Sequence, residues 1–178
     1  MSELMDAIRS GDLDKVRMLH DAGCPWDVRA CHVHILQWAR QHGCPWDAYT
    51  CSWAARNGHL HILQWARQQG CPWNADTCSW AAGKGHLDVL QWARQQGCPW
   101  DKDTTASAAE NGHLTIIQWA RQQGCQWGCW TLYHAARNAH LHVLQWAWEQ
   151  GCRAPIPELL YLAKAKNHHH VAAWVSTL

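Results

Sequence analysis

Six cysteines, Cys24, Cys44, Cys71, Cys98, Cys125 and Cys152, each follow a glycine, and histidines recur at His59, His86, His113 and His140. Thiolates and imidazoles are the ordinary ligands of zinc, so a metal site is the first chemistry to weigh. Cys71, Cys78 and His86 recur in kind as Cys44, Cys51 and His59. Structural zinc sites, however, rely on closely spaced ligand pairs, and the chain has neither C-x-x-C nor H-x-x-x-H. The preferred reading of each post-glycine cysteine is a small buried hydrophobe. The run His168 to His170 precedes another helical stretch and offers at most adventitious metal binding. No metal and no cofactor is expected.

Catalysis has no firmer footing. The chain lacks G-x-x-x-x-G-K, G-x-G-x-x-G, H-E-x-x-H and G-x-S-x-G, and AAGKGH around Lys84 lacks the spacing of a phosphate loop. Ser52 and Ser79 occupy equivalent positions in a repeat, whereas a nucleophile occurs once with its own base. An enzyme is not expected. Arg40, Arg67, Arg94 and Arg121 make a basic column with Gln68, Gln95 and Gln122 alongside, and regularly spaced cations can track a polyanion. Against that, acids number 14 to 15 Lys and Arg, the net charge is +1, and Trp148 breaks the column. A solvated outer face is the preferred reading.

All these residues are placed by an internal repeat, which also explains the composition: 15 Trp, 10 Cys and 14 His beside no Phe. Gln-Trp recurs at Trp38, Trp65, Trp92, Trp119 and Trp146 with a strict period of 27. A second series, Trp46, Trp73, Trp100 and Trp127, keeps that period within GCPWD, GCPWN, GCPWD and GCQWG. Each unit reads as two short helices. Thr50, Thr77, Thr104 and Thr131 are expected to cap the first, which ends on a left-handed glycine such as Gly58. The second, His59 to Gln69, carries Leu60, Leu63 and Ala66 on one stripe with Ile62 and Trp65 beside it, and stops at Gly70. One pair cannot bury its apolar stripe alone, so units must stack, and the Trp65 series is expected to become a continuous core.

The run Asn57 to Asn74, NGHLHILQWARQQGCPWN, together with TCSWAA at Thr50 to Ala55 and SGDLDKVRMLHDAGCPWD at Ser10 to Asp27, resembles the ankyrin repeat family. The likeness covers nearly the whole chain, and is nearest to the Trp-rich, GCPWD-containing repeats of large DNA viruses of amoebae and of protists. It implies an all-α, ankyrin-like α-solenoid of stacked helix-turn-helix repeats. Ankyrin units run about 33 residues, and the shortfall here falls between Trp73 and Thr77, so the family's projecting fingers should be shortened to tight turns. A single array is expected: an N-terminal unit (1–26), a truncated unit (27–46) in which Val28 to His42 forms one helix, full units 47–73, 74–100, 101–127 and 128–154, and a C-terminal cap (155–178).

Comparison between units separates scaffold from variation. Three columns change identity along the array: Tyr49, Asp76, Asp103, Trp130; then Trp53, Trp80, Ser107, His134; then Arg56, Gly83, Glu110, Arg137. By the resemblance, the second column lies on the concave face where ankyrin proteins bind partners, and aromatic and arginine side chains dominate such interfaces. Protein–protein interaction through Tyr49, Trp53, Arg56, Asp76, Trp80, Asp103, Glu110, Trp130, His134 and Arg137 is therefore the expected function, with surface drift as the bland alternative and further core packing open for Trp53 and Trp80. The competing class is a structural, self-associating component, with nucleic-acid or zinc binding behind it. No apolar run reaches the roughly 18 residues of a membrane span, and the start MSELMDAIRSGDLDK is acidic where a signal peptide is basic then apolar. An intracellular, reducing compartment and free thiols are expected.

Overall fold

The computed structural model describes residues 12–21, 33–43 and 46–178. The described residues form twelve helices and no strand: α1 (Leu13–Asp21), α2 (Val33–Gln41), α3 (Ala48–Arg56), α4 (Leu60–Gln68), α5 (Ala75–Gly83), α6 (Leu87–Gln95), α7 (Lys102–Glu110), α8 (Leu114–Gln122), α9 (Cys129–Arg137), α10 (Leu141–Glu149), α11 (Ile156–Ala165) and α12 (His169–Val175). From α3 to α10 the boundaries repeat with the sequence period. The helix expected over Val28 to His42 is described only from Val33, and its earlier part lies outside the described residues, as do residues 1–11 of the N-terminal unit. The connection from α4 to α5 is residues 69–74, too short for a projecting hairpin.

The threonines do not cap the first helices. Thr50, Thr77, Thr104 and Thr131 sit one turn inside and are buried. The caps are Asp47, Asn74 and Asp101, whose side-chain oxygens accept the N–H of Tyr49 (2.9 Å), Asp76 (3.2 Å) and Asp103 (2.9 Å). Their extended backbone, with φ between −140° and −147°, aims a short carboxylate or amide at the exposed N–H groups. Freed from that task, the Thr77 and Thr104 hydroxyls bridge units, Ser52 Oγ to Thr77 Oγ1 at 3.3 Å and Ser79 Oγ to Thr104 Oγ1 at 3.5 Å, whereas Thr50 Oγ1 is buried with no hydrogen-bond partner among the described residues. In the next unit the serine position is Ala106, and Thr105, one residue earlier, reaches Thr131 Oγ1 at 3.3 Å instead. A buried hydroxyl thus keeps a partner where the repeat sequence changes.

The first helices α3, α5 and α7 end on the expected left-handed glycine, Gly58, Gly85 and Gly112, whereas Ala139 (φ +64°) and Asn167 (φ +58°) take that place after α9 and α11. Gly58 has φ +71°, its N–H bonds to Ala55 O and the next N–H, of His59, to Ala54 O at 3.0 Å, the paired closure of a Schellman end. The second helix of the same unit closes in the same way at Gly70.

Within each unit the two helices pack as a pair, and first helices stack directly on one another, α3 on α5, α5 on α7, α7 on α9 and α9 on α11. Their touching faces carry Cys51, Ala54, Ala55, Ala81, Ala82, Ala108, Ala109, Ala135 and Ala136, all buried, and such small side chains let backbones approach closely. The core between the layers is Ile62, Leu63 and Ala66 and their equivalents Val89, Leu90, Ala93, Ile116, Ile117, Val143, Leu144 and Ala147, with Ala120 buried likewise.

The Trp65 series is not that core. Trp65, Trp92, Trp119 and Trp146 are half-buried and pack against it from outside, between successive second helices. Each meets the second-series tryptophan of the preceding unit edge-on: Trp46–Trp65 at 5.7 Å, Trp73–Trp92 at 5.9 Å, Trp100–Trp119 and Trp127–Trp146 at 5.8 Å. An indole is too large for the close first-helix stack. The first helices stack directly on one another, so the first-helix side of the array is the tighter one.

Candidate functional site

The histidine ladder stitches units together. His86 Nε2 lies 3.1 Å from Arg56 O, His140 Nε2 3.1 Å from Glu110 O, and His168 Nε2 2.9 Å from Arg137 O, each joining the start of a second helix to the end of the previous first helix. The rings of His86 and His140 pack over left-handed glycines, so that a Cβ on Gly58 or Gly112 would meet His86 or His140 at 2.7 Å. His168 belongs to this ladder, which its place in a His-rich run conceals.

The post-glycine cysteines close each unit on itself. Cys71 Sγ donates to Asp47 O at 3.4 Å, Cys98 to Asn74 O at 3.4 Å, Cys125 to Asp101 O at 3.3 Å and Cys152 to Gly128 O at 3.6 Å. The seven described cysteines are free thiols, and no group of three or more His, Cys, Asp or Glu among the described residues is placed to hold a metal. Burial pushes the Cys125 and Cys152 thiols up to about 11. Cys51 and Cys78 are pushed up by the hydrogen bonds they share with Cys71 and Cys98, and then by burial. A thiol whose folded pKa is raised holds its proton in the folded state after the unfolded chain has lost it. Its stabilisation is complete below about 8.5 and is lost as pH rises toward 11. Stability should accordingly fall across that window, and Cys125→Ala with Cys152→Ala should flatten the fall by about 1–2 kcal/mol per thiol. Urea midpoints at three alkaline pH values check this.

The arginine column lies on the outer face but is engaged within its own units. Arg40, Arg67, Arg94 and Arg121 lie over Trp46, Trp73, Trp100 and Trp127 with guanidinium carbons 4.1–4.4 Å from the ring centroids. Arg67, Arg94 and Arg121 also donate to the carbonyls of Cys71, Cys98 and Cys125. Each thus anchors the end of its own second helix by a cation–π contact and a hydrogen bond. The outer face carries hollows between units, one lined by Gln64, Arg67, Gln68, Trp73, Trp92 and Gln96, and the same residue types recur two junctions on at Gln118, Arg121, Gln122, Trp127, Trp146 and Gln150.

The opposite face differs. A groove of about 810 Å³ runs across α3, α5, α7 and α9, and its lining includes Arg56, Asp76, Trp80, Asp103, Glu110, Trp130 and His134. Seven of the ten residues singled out from the unit-to-unit columns are thereby brought together. Tyr49 and Trp53 extend the same face beyond the groove, stacked on one another at 6.3 Å, while Arg137 is exposed and outside the lining. Gly83 and Ser107, members of the same columns, form part of the floor with Ser79 and Ala106; a Cβ on Gly83 would stand 3.2 Å from that of Ser107. Column comparison missed Lys84, Asn111 and Asn138 on the rim. Their signal is positional: Asn57, Asn111 and Asn138 each donate from Nδ2 to a carbonyl four residues earlier, and Lys84 replaces that asparagine in one unit.

At the α3–α5 junction Arg56 fills the space, its guanidinium 4.1 Å from the Trp80 ring centroid and 5.4 Å from that of Trp53. At the α7–α9 junction the same columns place Glu110 and His134, with the ring of Trp130 5.8 Å from His134. Trp130 is 54% exposed, far more than any ladder tryptophan, and Asp103 and Glu110 form no ion pair with another described residue. Comparison with protein-family models and with curated proteins finds no match to this chain.

Proposed function

We propose that the chain is a non-catalytic, ankyrin-like α-solenoid that binds a protein partner through its concave first-helix face. The observation that carries this reading is the groove. Its walls hold residues that change from unit to unit, whereas two outer-face hollows two junctions apart repeat the same Gln, Arg and Trp. A scaffold needs one identity per position, and recognition of a single partner needs different ones. Exposed Trp130 and half-buried Trp80 supply large, rigid contact area of the kind that dominates protein interfaces. The ankyrin-like reading is further supported by the helix pairs in register, the left-handed residue before each ladder histidine, a glycine at His59, His86 and His113, and the short connection where the family carries its finger.

The arginines, stacked on indoles and bonded to carbonyls, are engaged internally, which argues against a phosphate-tracking face. No helix among the described residues is long and apolar enough to cross a membrane. Affinity capture from the native host with the wild-type chain, against a chain carrying Trp80→Ala, Glu110→Ala, Trp130→Ala and His134→Ala, tests the reading. Proteins retained by the first and lost by the second are expected; equal retention by both would overturn it.

A further inference from the structure

The groove contains its own template for a ligand. Where α3 meets α5, the chain seats an arginine on an aromatic face, Arg56 on Trp80. Two units on, the arginine position holds Glu110 and the aromatic side is supplied by His134 and Trp130, so the second junction has an aromatic platform and a carboxylate but no cation of its own. Asp103 lies one unit before Trp130 in the same column, and both carboxylates face the groove. The charged groups lining the groove are Asp76, Asp103 and Glu110 against Arg56, held on Trp80, and Lys84 on the rim, with His134 beside them.

Resting on the reading of this face as the partner interface, we propose that the groove takes a protein segment presenting an arginine or lysine side chain. Its cation lies on the Trp130 ring beside Glu110 and Asp103. Such a cation gains the quadrupole attraction of the indole and the field of two carboxylates that have no competing ion pair. An acidic segment would meet those carboxylates with like charge, and a purely apolar one would bury them unpaired. The small floor residues Gly83, Ala106 and Ser107 leave the depth for a long side chain.

Selection of random twelve-residue displayed peptides on the full chain, followed by titration of synthetic copies of the selected peptides, tests this. The selected peptides should be enriched in arginine and lysine. Their affinity should fall at least tenfold in D103N/E110Q and in W130A, and fall again as salt rises from about 50 to 300 mM. Asp103 and Glu110 are exposed at the two ends of α7, and unchanged far-UV circular dichroism verifies that the variants fold. Peptides without an excess of basic residues, or affinities within twofold in D103N/E110Q, overturn the proposal. If such non-basic peptides still lose binding in W80A/W130A, the interface reading stands and only the cation falls. Basic peptides that ignore every groove substitution, or a selection without binders, overturn both.

Discussion

Gly112→Val should lower the stability of the chain by about 3–4 kcal/mol, the largest effect expected of any turn substitution. Two causes act at that position. Gly112 has φ +76°, a region that a β-branched residue enters only with strain. A Cβ there would also meet His140 Nδ1 at 2.7 Å and push the ring off Glu110 O, breaking a bond between units. The causes separate experimentally. In a His140→Ala background the second disappears, leaving about 2 kcal/mol. Gly97→Ala, with φ +80° and open space around its Cβ, carries the backbone contribution alone, about 1 kcal/mol. The chain itself bounds the simpler change: Ala139 adopts φ +64° at the equivalent place and His168 keeps its bond to Arg137 O, so Gly112→Ala should cost only about 1–2 kcal/mol. Urea titrations of the five variants check the series.

Trp100→Ala and Trp130→Ala should part company. Trp100 is half-buried against the core, edge-on to Trp119 at 5.8 Å and beneath Arg94 at 4.3 Å. Removing it uncovers on the order of 100 Å² of apolar surface, about 2.5 kcal/mol, and forfeits the ring pair and the cation–π contact, about 1 kcal/mol more. A loss of about 3 kcal/mol is expected, with Trp73→Ala and Trp127→Ala alike because their surroundings repeat. Trp130, 54% exposed, should change stability by less than about 1 kcal/mol while abolishing partner binding. Equal destabilisation by Trp100→Ala and Trp130→Ala would contradict the division between structural and recognition tryptophans.

Much of the architecture is legible in the sequence because copying repeats every signal. Glycine ends both helices of most units and the stripe at Ile62, Leu63 and Ala66 recurs, so helix positions follow from a single unit. Three features escape for physical reasons. Asp47 and Thr50 are both good caps by residue type, and only the extended backbone at Asp47 decides between them. Hydrophobicity suggests that Trp65 is core, but an indole does not fit between first helices stacked through alanine, and packing sends it outward. The Arg column looks like a charged stripe until its carbonyl and indole partners, four to six residues further along the chain, are seen to wrap back onto it. The groove was partly legible: variation between units marks Trp80, Glu110, Trp130 and His134, but not that Gly83 and Ser107 open the space between them.

The central claim is that recognition lies on the varying first-helix face and not on the repeated outer one. Its most direct test is titration of a partner, captured with the wild-type chain, against two variants of equal helicity. One carries Trp80→Ala, Glu110→Ala, Trp130→Ala and His134→Ala; the other carries Gln68→Ala, Gln95→Ala and Gln122→Ala on the second helices. The first should bind at least 100-fold more weakly and the second within twofold of wild type. Undiminished binding by the first, or loss confined to the second, would contradict the account.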